Sequence, residues 1–138
     1  MCELGKGSEH RFMSGLSRGR MRNMAYEALD FYDIDSMLSE EERMVRDMVR
    51  DWVEDKVIPN IEKACRDGVF PDDWRKEIGE MGILGAPLEG YGCPGLSYIA
   101  YGLICQELER GDSGVRSFAS VQGSLVMYPI HDFGSEEQ

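Results

Sequence analysis

From residue 45 onward, apolar side chains return along the chain at intervals of three and four, the spacing of helices. Val45, Met48, Val49, Trp52 and Val53 mark one face of a first long helix. Ser39 has the character of its N-cap, and Glu42 stands at the third helical position, where a capping box needs an acid. Glu40 and Glu41 add negative charge at the positive end of the helix dipole. Pro59 lacks a backbone donor, so the helix must kink or restart there. Ile58, Ile61 and Cys65 carry the apolar face on to a stop at Asp67-Gly68. Pro71 suits the first turn of a short helix that has Asp72 and Asp73 at its start, Trp74, Ile78 and Met81 inside and Gly82 as its stop. From Gly85-Ala86-Pro87 to Tyr91-Gly92-Cys93-Pro94-Gly95 the chain reads as a loop.

The stretch Leu96 to Leu108 is apolar on nearly every side, through Leu96, Tyr98, Ile99, Ala100, Tyr101, Leu103, Ile104 and Cys105. A helix without a polar face belongs in the middle of a bundle. It closes on Glu107-Leu108-Glu109-Arg110 and Gly111. Asp112 and Ser113 can cap a further helix running to Met127, where Tyr128-Pro129 is expected to interrupt it. Ser135-Glu136-Glu137-Gln138 has the form of one more helix start, as in the fragment of a longer protein. No segment reads as a strand, and Ile83-Leu84-Gly85-Ala86 is too short to count. The expected fold is all-α over residues 25–138, with five helices and the start of a sixth. Trp52, Ile61, Trp74, Ile78, Leu103, Ile104, Leu108 and Leu125 are expected to be buried.

A chain of 138 residues suits one domain with a real core. No run of eighteen apolar residues occurs, which excludes a membrane-spanning helix by length. Lys6, Arg11, Arg18, Arg20 and Arg22 against Glu3 and Glu9 leave residues 1–24 at +3 within a net charge of −11, so the rest carries −14. An acidic body argues against nucleic acid and against an anionic membrane surface. Residues 1–24 lack periodic apolar positions and read as a disordered tail or a mis-assigned start, with Met21 or Met24 as the alternative beginning. Their Arg/Ser bias suggests a mitochondrial transit peptide, against which stand Glu3, Glu9 and the glycines. The expected location is the bacterial cytoplasm, with the mitochondrial matrix as the alternative. Cys2, Cys65, Cys93 and Cys105 show no Cys-x-x-Cys spacing, and His10 and His131 stand apart, so no metal site is expected. Cys105, inside an apolar run, reads as a buried, inert thiol.

The segment Glu107 to Ser117 brings together the end of one helix, a glycine-bearing corner and the start of another. Free backbone donors at a helix N-terminus attract anions, and Arg116 adds a planar fork matched to a carboxylate. Glu109 stands across the corner, where it can hold that fork; it can equally form an ordinary ion pair that ties two helices. Ser113, Ser117, Ser120 and Ser124 recur on one helical face, allowing close approach of a thin ligand or of a neighbouring helix.

These residues carry a resemblance. Ala100-Tyr101-Gly102-Leu103, Glu107-Leu108-Glu109-Arg110, Asp112-Ser113-Gly114, Arg116-Ser117, Ser120-Val121-Gln122 and Ser124-Leu125-Val126-Met127 before Pro129-Ile130 resemble the acyl-CoA dehydrogenase family, within it the glutaryl-CoA dehydrogenase type. Met81-Gly82-Ile83-Leu84-Gly85, Gly90-Tyr91-Gly92-Cys93 and Tyr128 through Gln138 agree with it. The resemblance spans Asp30 to Gln138 and implies the N-terminal helical domain of a three-domain enzyme that oxidises acyl-CoA with FAD. FAD would lie in a middle β domain and a C-terminal helical domain, as would the glutamate that removes the α proton. The chain itself is expected to bind no cofactor and to carry no catalytic residue. Carried over by position, Arg116 and Ser117 would hold the distal carboxylate of glutaryl-CoA, with Glu109 and Ser120 beside them. The full enzyme would yield glutaconyl-CoA, or crotonyl-CoA after loss of CO2, pass electrons to an electron-transfer flavoprotein and assemble as a homotetramer. Val115 stands where relatives often have Tyr, and Gly123 where some have Ser. The alternatives are a dehydrogenase of short or branched monocarboxylic acyl-CoA, with Arg116 structural, and a stand-alone helical binding module.

Overall fold

The structure, a computed structural model, describes residues 29–138, so the expectations for residues 1–24 lie outside the described residues. Tyr32–Gln138 pack as one unit. A single turn, α1 (Ile34–Met37), leads to α2 (Glu40–Trp52). Ser39 and Glu42 form the capping box reciprocally: the Glu42 amide donates to Ser39 Oγ at 3.2 Å, and the Ser39 amide donates to Glu42 Oε2 at 2.9 Å. The helix widens into a π-helical turn over Val53–Val57, breaks ahead of Pro59 and restarts as α3 (Ile61–Asp67). Gly68 ends α3 at φ +66°. Then come α4 (Asp72–Glu80), a two-stranded antiparallel hairpin of β1 (Glu89–Gly90) and β2 (Cys93–Pro94), and α5 (Tyr98–Gly111). The last rod runs from α6 (Ser113–Ser120) through a π-helical stretch, Val121–Met127, into α7 (Tyr128–Phe133). Among the described residues, five helical rods follow the opening turn, as the periodicity predicts.

The core sits where α2 crosses α5 and where α5 meets α6. Val49, Val53 and Val57 enter from the first rod, Trp74 and Ile78 from α4, Ile83 and Ala86 from the loop that follows, Ile104 and Leu108 from α5, and Val115 and Ala119 from α6. Full burial of one such branched side chain stabilises by roughly 1.5–3 kcal/mol. Gly111 sets the closest approach between rods. A Cβ there would lie 2.7 Å from Val53 Cγ1 and 3.1 Å from Val57 Cγ1, so only glycine lets the end of α5 seat on the π turn.

Several expectations need correction. Pro71 is the N-cap of α4 and not its first helical residue. The helix expected from Leu96 begins at Tyr98, where the Ser97 hydroxyl accepts from the Ala100 amide at 3.0 Å. Nor is α5 enclosed on all sides: Ala100, Ile104, Glu107 and Leu108 are buried, while Tyr98 and Ile99 are exposed. Leu125, expected inside, is 70% exposed, and Trp52, Ile61 and Leu103 are only partly covered. Pro129 does not interrupt the last rod. Met127 and Tyr128 keep helical angles, and the widened turn before Pro129 absorbs the missing donor and the ring. The expectation of no strand misses the hairpin, whose two-residue turn places Tyr91 at φ +51° and Gly92 at φ +81°, the paired positive angles of a tight hairpin. At the final helix start, the Ser135 amide donates to Gln138 Oε1 at 2.9 Å, and the chain there forms a turn.

Candidate functional site

The α5–α6 corner is ordered by Asp112. Its backbone is extended (φ −170°), and its Oδ1 accepts from the amides of Gly114 (2.8 Å) and Val115 (3.2 Å). The Arg116 amide donates to the Asp112 carbonyl at 3.1 Å. The amides of Gly114, Val115 and Arg116 are therefore taken, which weakens the anion site expected at the start of α6 and leaves the Arg116 side chain as its main donor.

That side chain is a held fork. Arg116 Nε donates to Glu109 Oε2 at 2.7 Å, and Nη1 reaches Ser120 Oγ at 3.3 Å. Glu109 Oε1 accepts from Ser113 Oγ at 2.5 Å, and Ser120 Oγ donates to the Ser117 carbonyl at 3.2 Å. Arg116, with Ser113, holds the Glu109 carboxyl below the usual carboxylate range, and Glu109 raises the guanidinium in turn. Among the described residues Nη2 has no protein acceptor, and about a third of the side chain is exposed. The structure thus brings Arg116, Glu109 and Ser120 together. Half-buried Ser117 joins them only through its carbonyl.

The polar row continues along α5. The Tyr101 hydroxyl lies 3.1 Å from Ser124 Oγ, and Cys105 follows Tyr101 by one helical turn. Burial pushes the Cys105 thiol up, which keeps it protonated, in line with an inert thiol. Burial raises the Tyr101 hydroxyl too. Tyr101 and Ser124 also line an open cleft of about 220 Å³, with Pro87, Tyr98, Gly123 and Tyr128. The serine face expected to admit a ligand or a helix therefore meets α5, through Ser113 with Glu109 and Ser124 with Tyr101. The last rod comes close to the loop after α4 at Gly123, where a Cβ would lie 2.5 Å from the Leu84 carbonyl oxygen.

Sequence reasoning missed the most deeply buried charge, Glu107, which is 1% exposed. Arg50 grips it with two nitrogens, Nη2 to Oε1 at 2.7 Å and Nε to Oε2 at 3.2 Å, and Arg110 Nε adds a third bond at 2.9 Å. Burial alone would raise this carboxyl, but the two guanidiniums outweigh it and hold it low. Its position was a signal, since residues 100, 104, 107 and 108 share one helical face. Glu42 was likewise read only as a cap. It also accepts from Ser97 Oγ at 2.7 Å, tying the start of α2 to the start of α5. Among the described residues no group of three or more His, Cys, Asp or Glu is placed to hold a metal, and no helix is long and apolar enough to cross a membrane.

Comparison with known proteins gives a consistent result. The family model for the acyl-CoA dehydrogenase N-terminal domain matches residues 39–138. A glutaryl-CoA dehydrogenase from Mycobacterium smegmatis in complex with FADH2 superposes with a TM-score of 0.74 at 47% identity, over 77% of this chain and 28% of that one. A second glutaryl-CoA dehydrogenase structure from Mycobacterium smegmatis gives 0.70 at 54% identity, over 75% and 27%. The mitochondrial short-chain specific acyl-CoA dehydrogenase of Rattus norvegicus is 33% identical over 102 residues, 73% of this chain and 25% of its own. The chain spans about a quarter of the length of these relatives.

Proposed function

The chain belongs to the acyl-CoA dehydrogenase family, and from that premise we propose that it forms one wall of the acyl site in an FAD-dependent dehydrogenase of glutaryl-CoA. One observation carries the choice of substrate: the Arg116 fork is fixed by Glu109 and Ser120 while Nη2 keeps no acceptor among the described residues. A planar guanidinium oriented in this way suits a carboxylate at the far end of an acyl chain, with the Ser117 hydroxyl one residue away. The identities of 47% and 54% to two glutaryl-CoA dehydrogenases support the same reading.

The cleft is lined by Pro87, tyrosines, Ser124 and Gly123, with no basic group for a pyrophosphate, so no flavin contact is assigned to it. In this reading the flavin and the base that takes the α proton belong to the further length that the relatives have. An electron-transfer flavoprotein as acceptor and a homotetramer complete the proposal. Loss of CO2 after dehydrogenation, giving crotonyl-CoA, fits a carboxylate held by Arg116 beside Glu109.

A second reading has its own support. Arg116 is already neutralised by Glu109, which suits a structural clamp in a dehydrogenase of monocarboxylic acyl-CoA, and a short-chain specific relative is 33% identical. Steady-state kinetics on the full-length flavoprotein separate the two. Arg116→Gln is expected to lower kcat/KM for glutaryl-CoA by roughly 30- to 4,000-fold, the loss of about 2–5 kcal/mol with a charged partner, and to spare butyryl-CoA. If both substrates lose equally, the clamp reading stands and the glutaryl assignment falls.

A further inference from the structure

His131, on α7, has an oxygen acceptor at each ring nitrogen. Nδ1 lies 2.9 Å from Asp132 Oδ1, and Nε2 lies 3.0 Å from the Glu89 carbonyl oxygen on β1. A neutral imidazole carries one N–H and cannot donate to both; the imidazolium can. When the ring loses a proton, the remaining N–H favours the charged acceptor, Asp132, and the Nε2 lone pair is left facing the Glu89 oxygen. The bond lost is the one that joins the hairpin to α7.

The surroundings favour this arrangement from every side. On α7, His131 and the Tyr128 hydroxyl hold the Asp132 carboxyl below its ordinary range. From the hairpin come the Glu89 carboxylate and the Tyr91 ring, which meets the imidazole edge-on with centroids 6.1 Å apart. Tyr91 donates its hydroxyl to Glu136 Oε2, beyond α7, at 2.7 Å. No cation faces the ring among the described residues. The hairpin's ladder is two residue pairs long, and its base is held by the Gly95 and Leu96 amides and by Cys93 and Pro94 against Gly85 and Gly82; toward the end of the chain, among the described residues, its side-chain hydrogen bonds are those of His131 and Tyr91. Pro87 lies two residues before β1, and Tyr128 lies one turn before His131; both line the cleft.

We propose that His131 is a proton-operated latch whose imidazolium ties the β1–β2 hairpin to α7 and so fixes one side of the Pro87–Tyr128 cleft. Asp132 and the Glu89 carbonyl raise the histidine above its ordinary value of 6.5. The latch is therefore closed below that value and opens as pH rises through the raised one.

The chain has two histidines, His10 and His131, so the ring 1H–13C NMR spectrum of the 138-residue protein shows two titrating signals, and His131→Gln assigns them. The expected result has three parts. The His131 signal titrates above 6.5, the amide signals of Gly90 and Gly92 move with the His131 midpoint, and Asp132→Asn lowers that midpoint. Should a variant fail to fold, the two wild-type measurements still decide. A hairpin that ignores the His131 midpoint, or a His131 that titrates at or below 6.5, overturns the latch.

Discussion

Glu107 and Glu109 stand two positions apart on α5, yet only one of them is buried. Residue 107 falls on the face of Ala100, Ile104 and Leu108, so its carboxylate is taken inside and must be answered by charge, whereas Glu109 turns outward to Arg116. The periodic pattern places position 107 correctly, but no local rule names Arg50, 57 residues away, as its partner. The same limit explains the misreading of the α6 start. An Asp at an N-cap is legible, but whether its carboxylate occupies the donors or leaves them for a ligand depends on the extended backbone of Asp112. Replacing Glu107 with Ala should cost about 3 kcal/mol by leaving Arg50 and Arg110 without their anion. Glu107→Gln, which keeps the shape and part of the bonding, should cost about 1–2 kcal/mol. Urea unfolding at neutral pH measures both, and a Glu107→Gln variant as stable as the unsubstituted chain would contradict the ionic account.

At the scale of elements, capping signals and apolar periods locate the five rods because each is a local preference. The π-helical turns leave no such signal. Val53–Val57 and Val121–Met127 widen where a rod must fit a neighbour, and the stretch before Pro129 keeps a proline inside a helix that sequence rules break. Gly123 belongs to that fit: the Leu84 carbonyl lies where its side chain would be, and main chain yields less readily than a side-chain tip. Gly123→Ala should destabilise by about 1–3 kcal/mol, the usual range for overpacking. Gly102, within α5, meets nothing within 4 Å, so Gly102→Ala should stabilise by roughly 0.5–1 kcal/mol through helix propensity. Thermal unfolding of the pair tests whether the close approach, and not helix propensity, sets the value of each glycine.

For the molecule as a whole, charge sets how stability depends on pH, and two limbs follow from identified groups. The net charge of −11 opposes compaction at neutral pH, and partial protonation on the way down relieves it. His131 acts in the same direction. Its folded pKa is raised, so its contribution is complete below 6.5 and is lost as pH rises through the raised value. The acid limb belongs to carboxyls held low in the fold: Glu107 by Arg50 and Arg110 against its burial, Glu42 by Ser97 and Ser39, Glu77 by Trp52 and Lys56, and Glu109 by Arg116 and Ser113. Each contributes above its unfolded value of 4.5, and the contribution is lost as pH falls through the lowered one. The plot of Tm against pH should therefore rise from pH 8 to a maximum in mild acid and fall steeply below about pH 4.5, as native-state carboxylates protonate. The variants separate the limbs. His131→Gln should flatten the alkaline side and leave the acid side alone, while Glu107→Gln should lower the maximum and make the acid side shallower. Sodium chloride at high concentration should shrink the part of the alkaline slope that comes from repulsion, because exposed charges are screened while the Glu107 cluster is not. A Tm that keeps rising from pH 5 to pH 8 would mean that repulsion and His131 are both outweighed, and that the two limbs are misassigned.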